Sequence, residues 1–369
     1  MTGKEFIFIM NDRMKNVCRR MGDAGFGQLL ITDPWSVFYL TGKMFQPGER
    51  FLGLLLKASG EHKLFINRLF PAPEDLGAEK VWFSDTDSPM ELVAACTDPG
   101  EVLGVDKMMP ARFLLELMEK NAASHYCSGS FCVDDARGCK EPEEQEKMRG
   151  ASALNDRAMG MFRDLIRPGI TEVQAARRVK EIYLELGAEG VSFPPIVSFG
   201  ANAADPHHEP DDTVLREGDC VLFDVGCRLD GYCSDMTRTF FYRRVAREQR
   251  RVYETVRAAN LAAEKRMAPG IRFCDLDAAA RDPITAAGYG PYFTHRLGHS
   301  IGLEVHEPGD VSAVNTDIVR PGRIFSCEPG IYLPGQFGVR IEDLCLITSQ
   351  GVEVLNKYPK DLDVIDPIG

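Results

Sequence analysis

The stretch at 221–240, VLFDVGCRLDGYCSDMTRTF, constrains the fold of this chain more than any other. Val221, Leu222 and Phe223 open an apolar strand, Asp230-Gly231 is a strong turn signal, and 232–240 is a second run with aromatic and threonine content, so the stretch reads as a β-hairpin. It carries Asp224 and Asp235, an odd eleven positions apart. Whether the turn centres on Leu229-Asp230 or on Asp230-Gly231, parity puts both carboxylates on one face, directly opposite or diagonally adjacent. Two such charges repel. A sheet face holds both only if cations lie between them or one keeps its proton.

At 369 residues the chain exceeds what one core usually serves, which predicts two domains. A net charge of −12 and the lack of any Lys/Arg stripe argue against nucleic acid as a partner; Arg19-Arg20 and Arg243-Arg244 read as solvated faces. The opening MTGKEFIFIMNDR has an apolar run of only five residues, and no later run approaches the roughly 20 that a membrane helix needs. A cytoplasmic protein with no membrane partner is expected. Eleven cysteines without a CxxC pair fit reduced thiols, and Cys220, Cys227, Cys233 and Cys327 beside the acidic residues read as small buried apolar side chains.

Helical apolar spacing covers 5–24, and 27–32 is a short strand before Asp33-Pro34. The runs FLGLLLK, KLFIN, VWF and EVLGV then alternate with helical stretches such as 111–120, giving a small α/β domain. The polar segment 134–147 breaks that pattern, with Pro142 placed at a helix start, and sets a domain boundary near 138. Helices are expected over 142–167, 171–186, 246–266 and 273–287, with strands and turns elsewhere. The second domain also repeats itself: RPGITE (167–172) and APGIRF (268–273) each open a helix, and REGDCVLFD (216–224) resembles RPGRIFSCE (320–328) at an offset of 104. That offset carries Asp224 onto Glu328, and three extra loop residues carry Asp235 onto Glu342, so a duplicated helix-helix-hairpin unit brings two acidic pairs to one centre.

His295 and His299 have i, i+4 spacing, but Gly298 lies between them and no Glu follows His295, which excludes the HExxH zinc helix. Taken alone, each acidic residue here is an ordinary turn or surface residue, and His299 an ordinary hydrogen-bonded one. Their joint occurrence in apolar strands changes that. Asp224, Asp235, Glu328 and Glu342 bring four negative charges, which two divalent ions balance, with His299 as a neutral nitrogen ligand. Such oxygen-rich ligation suits Mn, Co or Fe, tolerates Zn and disfavours copper. Two ions about 3.5–4 Å apart share a water and clamp the oxygens of a tetrahedral intermediate.

The segments FDVGCRLDGYCSDMTRTF, HRLGHSIGLEVHE, CEPGIY and GVRIEDLCLIT, in this order and spacing, resemble the metal-binding blocks of the pita-bread metallopeptidases. The likeness is to their proline-directed branch, aminopeptidase P and prolidase, and covers 140–369. It implies an α+β fold: a pita-bread (creatinase/aminopeptidase-like) catalytic domain over 139–369, preceded by a smaller α/β creatinase-type N-terminal domain over 1–138. By the same resemblance Asp224 ligates one of two divalent metals, Asp235 and Glu342 bridge, and His299 and Glu328 complete the other site. Manganese is the expected metal, with Co, Zn or Fe as substitutes. His207 and His306 are implied to face the substrate and stabilise the oxyanion or leaving amine, Glu328 to shuttle protons, and Arg340 to orient a bridging carboxylate. His208 rivals His207; counting back from Arg216-Glu217-Gly218-Asp219 favours His207. Ser300, in place of a frequent Gly, and Asp205, in place of an apolar residue, depart from the family pattern.

The expected activity is dinuclear-metal-dependent hydrolysis of the bond between an N-terminal residue and proline in a short peptide with proline at its second position. Chain length favours a dipeptidase slightly over an aminopeptidase P, and the likeness implies a homodimer. Two other readings differ in the ligand set. A metal-free creatinase-like C–N hydrolase predicts lost ligands, whereas all five are present, and a non-catalytic peptide-binding or partner-binding pita-bread protein need not keep four carboxylates and a histidine.

Overall fold

A computed structural model describes residues 11–73 and 75–366, and its chain divides into two compact units, Met1–Arg137 and Gly138–Gly369. In the first unit, helix Asp12–Asp23 starts at Asn11, whose side chain accepts from the Met14 amide, and buries Met14, Val17 and Met21. The part of the expected helix at 5–10 lies outside the described residues. Six strands form a mixed sheet in the order Glu79–Phe83, Lys63–Asn67, Gly53–Lys57, Gln28–Ile31, Val102–Val105, His125–Ser128.

Two helices of this unit were not anticipated. Pro34–Thr41 has its signals in plain view, an Asp33 cap, proline at the first turn and Gly42 at φ +72°, but its apolar run WSVFYL masks the helical period. Phe131–Gly138 runs into the segment read as a polar break. Its polar side is held by ion pairs, Lys107 to Asp134 at 2.7 Å and Arg137 to Asp33 at 3.3 Å, while Cys132, Val133 and Ala136 are buried.

The second unit contains the four helices Pro142–Arg163, Glu172–Glu185, Arg247–Arg266 and Phe273–Ala286. They accompany a four-stranded sheet around Cys220–Val225 and Met236–Tyr242, a five-stranded sheet around Ile324–Cys327 and Asp343–Ile347, and the hairpin Gly330–Leu333 with Phe337–Arg340. The internal repeat is physical. Thr171 bridges Val214 as Arg272 bridges Ile318, and Gly218 and Gly322 take matching φ values of +89° and +86°. The first helix pair packs on the four-stranded sheet around one apolar core, and the second pair packs into another that also takes in Cys220, Leu222 and Phe241 of that sheet.

The 221–240 stretch is a hairpin with Asp230-Gly231 at its turn, both at positive φ (+50° and +78°) as a two-residue turn requires. Asp224 pairs with Thr237 across the ladder, so Asp235, two residues earlier on the same face, stands diagonally from Asp224. Gly226 lets the strands close beside them: a Cβ there would lie 2.0 Å from the Ser234 carbonyl oxygen, a backbone atom that cannot move aside. Gly226→Ala is therefore expected to destabilise the second unit by about 2–3 kcal/mol, read as a lower midpoint in its urea or calorimetric transition.

Candidate metal centre

Strand alternation sorts this part of the chain into two faces. On Met236–Tyr242 and the strands beside it, Asp235, Thr237 and Thr239 lie toward Arg340 and Glu342, while Arg238 turns the other way to Asp343 at 2.7 Å. Asp224 sits on Cys220–Val225, His299 on Gly298–Ser300, Glu328 directly after Ile324–Cys327, and Glu342 directly before Asp343–Ile347. These five side chains, distant in the chain, line one cavity of about 520 Å³. Ligand atoms of Asp235, His299 and Glu342 lie within 4.8 Å of one another. His299 Nε2 is 3.6 Å from Asp235 Oδ2 and 3.4 Å from Glu328 Oε1.

The groups that hold this cluster are small and specific. Thr237 donates to Glu342 Oε2 at 2.8 Å and accepts from Arg340 Nε at 3.1 Å. Ser326 donates to Glu328 Oε1 and accepts from the His299 amide, both at 2.9 Å. His299 Nδ1 faces the Ser300 carbonyl, so that nitrogen carries the hydrogen and Nε2 is left as an open lone pair toward the carboxylates. Burial, helped by His306, lowers the His299 pKa to about 3, so the ring is neutral.

Burial also pushes the Asp235 carboxyl well above its ordinary range, reinforced by Glu342, Asp224 and Glu328. Glu342 rises in the same way, from burial and then from Glu328 and Asp224. Glu328 is raised to about 7, mainly by burial. Only Asp224 has a cationic partner in contact: Arg340 Nη2 at 2.5 Å. Arg340 meets Asp224 directly, while Thr237 stands between it and Glu342. One guanidinium does not offset four carboxylates. Asp224 Oδ1, Asp235 Oδ1 and Glu342 Oε1 are buried with no hydrogen-bond partner. Buried orphan oxygens of this kind are costly unless a cation completes them, and the O₄N donor set fits divalent metal ions.

Around the cluster the cavity has an apolar wall of Phe193, Ile196, Pro206 and Val305, and polar positions at His207, His295, Arg296 and His306. His207 faces the cavity, whereas His208 turns away and contacts Glu172 at 2.7 Å. The His306 ring packs edge-on to His299 with centroids 4.3 Å apart. His295 and Tyr332 were not anticipated as part of the site. Arg340 Nη1 donates to the Tyr332 hydroxyl at 2.8 Å, and that hydroxyl is 2.8 Å from His295 Nε2. Despite their i, i+4 spacing, His295 and His299 share no helix: His295 lies on a loop and His299 on the strand Gly298–Ser300. Asp277 and Arg281 pin the His295 loop, Asp277 accepting from the Leu297 amide and Arg281 donating to the His295 carbonyl. The two departures from the family pattern stay off the ligands: Ser300 donates to the Gly309 carbonyl, and Asp205 accepts from the His207 amide. Cys220, Cys227, Cys233 and Cys327 are all fully buried.

These carboxyls make the metal-free protein sensitive to pH in a defined direction. Glu328 keeps its proton in the fold up to about pH 7 but loses it near the ordinary glutamate value when unfolded, so the folded state binds more protons in between. That contribution is complete in acid and is lost as pH rises through about 7. In chelator, the melting temperature of the second unit should fall by roughly 5 °C between pH 5 and 8, and Glu328→Gln should flatten that slope.

Residues 146–349 match metallopeptidase family M24, and residues 13–139 match the creatinase/prolidase N-terminal domain. The Bacillus subtilis protein YkvY is 35% identical over 363 residues, covering 96% of this chain and all of that one. Among solved structures, the dipeptidase PepE from Mycobacterium ulcerans superposes with a TM-score of 0.92 at 34% identity, over 99% of this chain and 100% of its own. A prolidase from Thermococcus sibiricus gives 0.89 at 33% identity, over 96% and 99% of the two chains. With both domains matched and relatives aligned along nearly its whole length, the chain belongs to metallopeptidase family M24, an α+β pita-bread peptidase domain preceded by a creatinase-type N-terminal domain.

Proposed function

We propose that this metallopeptidase hydrolyses the bond between an N-terminal residue and proline, as an Xaa-Pro dipeptidase, with two divalent metal ions held by Asp224, Asp235, His299, Glu328 and Glu342. Three partnerless buried carboxylate oxygens, facing a neutral imidazole nitrogen in a cavity with an apolar wall, carry this reading. Manganese is the metal we favour, with Co, Zn or Fe also suited to the donors. Bound there, the ions supply Lewis acidity and a lowered water pKa for amide cleavage.

The chain's own groups do the rest. Glu328, fixed through Ser326, would take the proton of the attacking water and return it to the prolyl nitrogen. His207 and His306, exposed on the cavity wall, are suited to stabilise the oxyanion or the departing amine. Arg340, shared between Asp224, Thr237 and Tyr332, holds Asp224 in place. A prolyl amide has no N–H to satisfy and presents a rigid apolar ring, which Phe193, Ile196 and Val305 would seat. The solved dipeptidase and prolidase likenesses agree with this substrate class.

Arg296 favours a dipeptide over a longer chain. It is exposed, lines the cavity and forms no ion pair among the described residues, so a free carboxylate one residue beyond the scissile bond is the complement it lacks. The eleven free cysteines suit a reducing cytoplasm, and no described helix is long and apolar enough to cross a membrane. The family likeness is the ground for expecting a homodimer, and the domain boundary near 138 is part of the same proposal.

Purified protein should bind about two equivalents of metal, cleave Ala-Pro and Met-Pro, and lose activity to chelator; Asp235→Asn should lose both metal and turnover. A metal-loaded protein inert on Xaa-Pro and Xaa-Pro-Yaa alike would sink the assignment. Arg296→Ala should raise KM for Xaa-Pro roughly tenfold with kcat little changed, and leave an Xaa-Pro amide almost unaffected. Equal losses on the acid and the amide would remove the dipeptidase preference.

A further inference from the structure

His207 reaches the cavity from the 199–211 segment, in which the strand end Phe199 and the 3₁₀ helix Gly200–Ala204 are followed by a stretch, 205–211, without a strand partner, so side chains help to fix its course. One buried carboxylate serves that purpose. Glu172, at the first turn of Glu172–Glu185 and fully inaccessible to solvent, accepts at Oε1 from the Phe199 amide (2.6 Å) and Asn202 Nδ2 (3.1 Å). At Oε2 it accepts from His208 Nε2 (2.7 Å) and the Asp211 amide (3.1 Å). The donors come from the start, middle and end of the loop, and Asn202 also reaches Thr213 at 3.1 Å. No lysine or arginine takes part in this set.

The internal repeat shows that the acid is not needed to build the unit. At the same place in the second half, the first residue of the matching helix is Phe273, whose backbone amide bonds Asp317 just as that of Glu172 bonds Thr213. Phe273 is buried against Phe325, with ring centroids 5.4 Å apart. The same helix start and the same bridge therefore form with an apolar side chain. What distinguishes the first half is the loop that Glu172 holds, and that loop carries His207.

We propose that Glu172, acting through His208 and the 199–211 backbone, is a positioning residue that sets where the His207 imidazole stands in the active-site cavity. His207 is a central residue of the turn that the His208 amide closes on the Asp205 carbonyl at 3.2 Å, so gripping the His208 ring at the end of that turn fixes where His207 stands. Glu172 touches neither the cavity nor any of the candidate ligands. The kinetic half of the proposal rests on the Xaa-Pro peptidase reading, whereas the geometric half does not.

The test uses the full chain, wild type and with Glu172→Gln or His208→Asn, the second variant being partly exposed and so tolerable if the first fails to fold. Histidine-ring NMR on the zinc-loaded protein locates the His207 signal by its loss in His207→Gln. In both variants that signal should move while His125, in the other unit, keeps its position, and metal content should match the wild type. With Ala-Pro, kcat should fall roughly tenfold or more while KM changes less than about threefold, because the displaced group acts on the reacting bond. An unmoved His207 signal overturns the proposal, as does a moved signal with kcat within about twofold of wild type. If the wild type itself fails to cleave Xaa-Pro, the peptidase reading falls and the NMR arm alone decides the positioning.

Discussion

Repulsion among buried carboxylates governs the second unit. Asp224, Asp235, Glu328 and Glu342 are drawn into one cavity, where desolvation and mutual charge push Asp235, Glu328 and Glu342 toward their protonated forms. Burial outweighs the charge of Arg340, which touches only Asp224 among the four and gives its remaining donors to Thr237 and Tyr332. A fold does not keep such a cluster for stability, since apolar residues of similar volume would cost less. Its persistence makes sense when cations complete the partnerless oxygens, and the rest of the architecture serves to hold the anions apart until they do.

That holding is done from behind. Arg238, one of the largest fully buried side chains, donates to the carbonyls of Thr237, Glu342 and Tyr358 and to Asp343. Lys360 joins Asp343 and Glu264, at 2.8 and 2.7 Å. Burial alone would raise Asp343, but Arg238 and Lys360 outweigh it and hold its pKa below the ordinary value. Site-facing and back-facing charges thus alternate along one strand pair, Glu342 left short of cations and Asp343 supplied with them. The back layer fixes the backbone on which the front layer depends, and a metal-free site keeps its shape at the cost of its own repulsion.

Much of this was legible from residue order. The parity of Asp224 and Asp235 placed both on one face, and the turn at Asp230-Gly231 settles the diagonal arrangement. The repeat at an offset near 104 carried the second acidic pair to the first, and the matching bridges at Thr171 and Arg272 make that duplication visible. Long helices with a clear apolar period are readable, whereas the short Pro34–Thr41, despite its end signals, and Phe131–Gly138 are not, because continuous apolar or polar runs hide the period. The link of His295 and Tyr332 to Arg340 joins three chain segments and has no spacing signature in the sequence.

By itself the sequence determined the inventory and its local order: which residues carry charge, which alternate to the same side of a strand, where turns fall, and which blocks resemble a metallopeptidase. These follow from backbone periodicity, which acts between chain neighbours. Tertiary structure alone decided that Arg340 meets Asp224 rather than Glu342, that His207 faces the cavity while His208 turns to Glu172, and that three carboxylate oxygens are left without partners. Those outcomes depend on how two half-units close on each other, where a shift of one side chain exchanges one partner for another and no rule of sequence spacing applies.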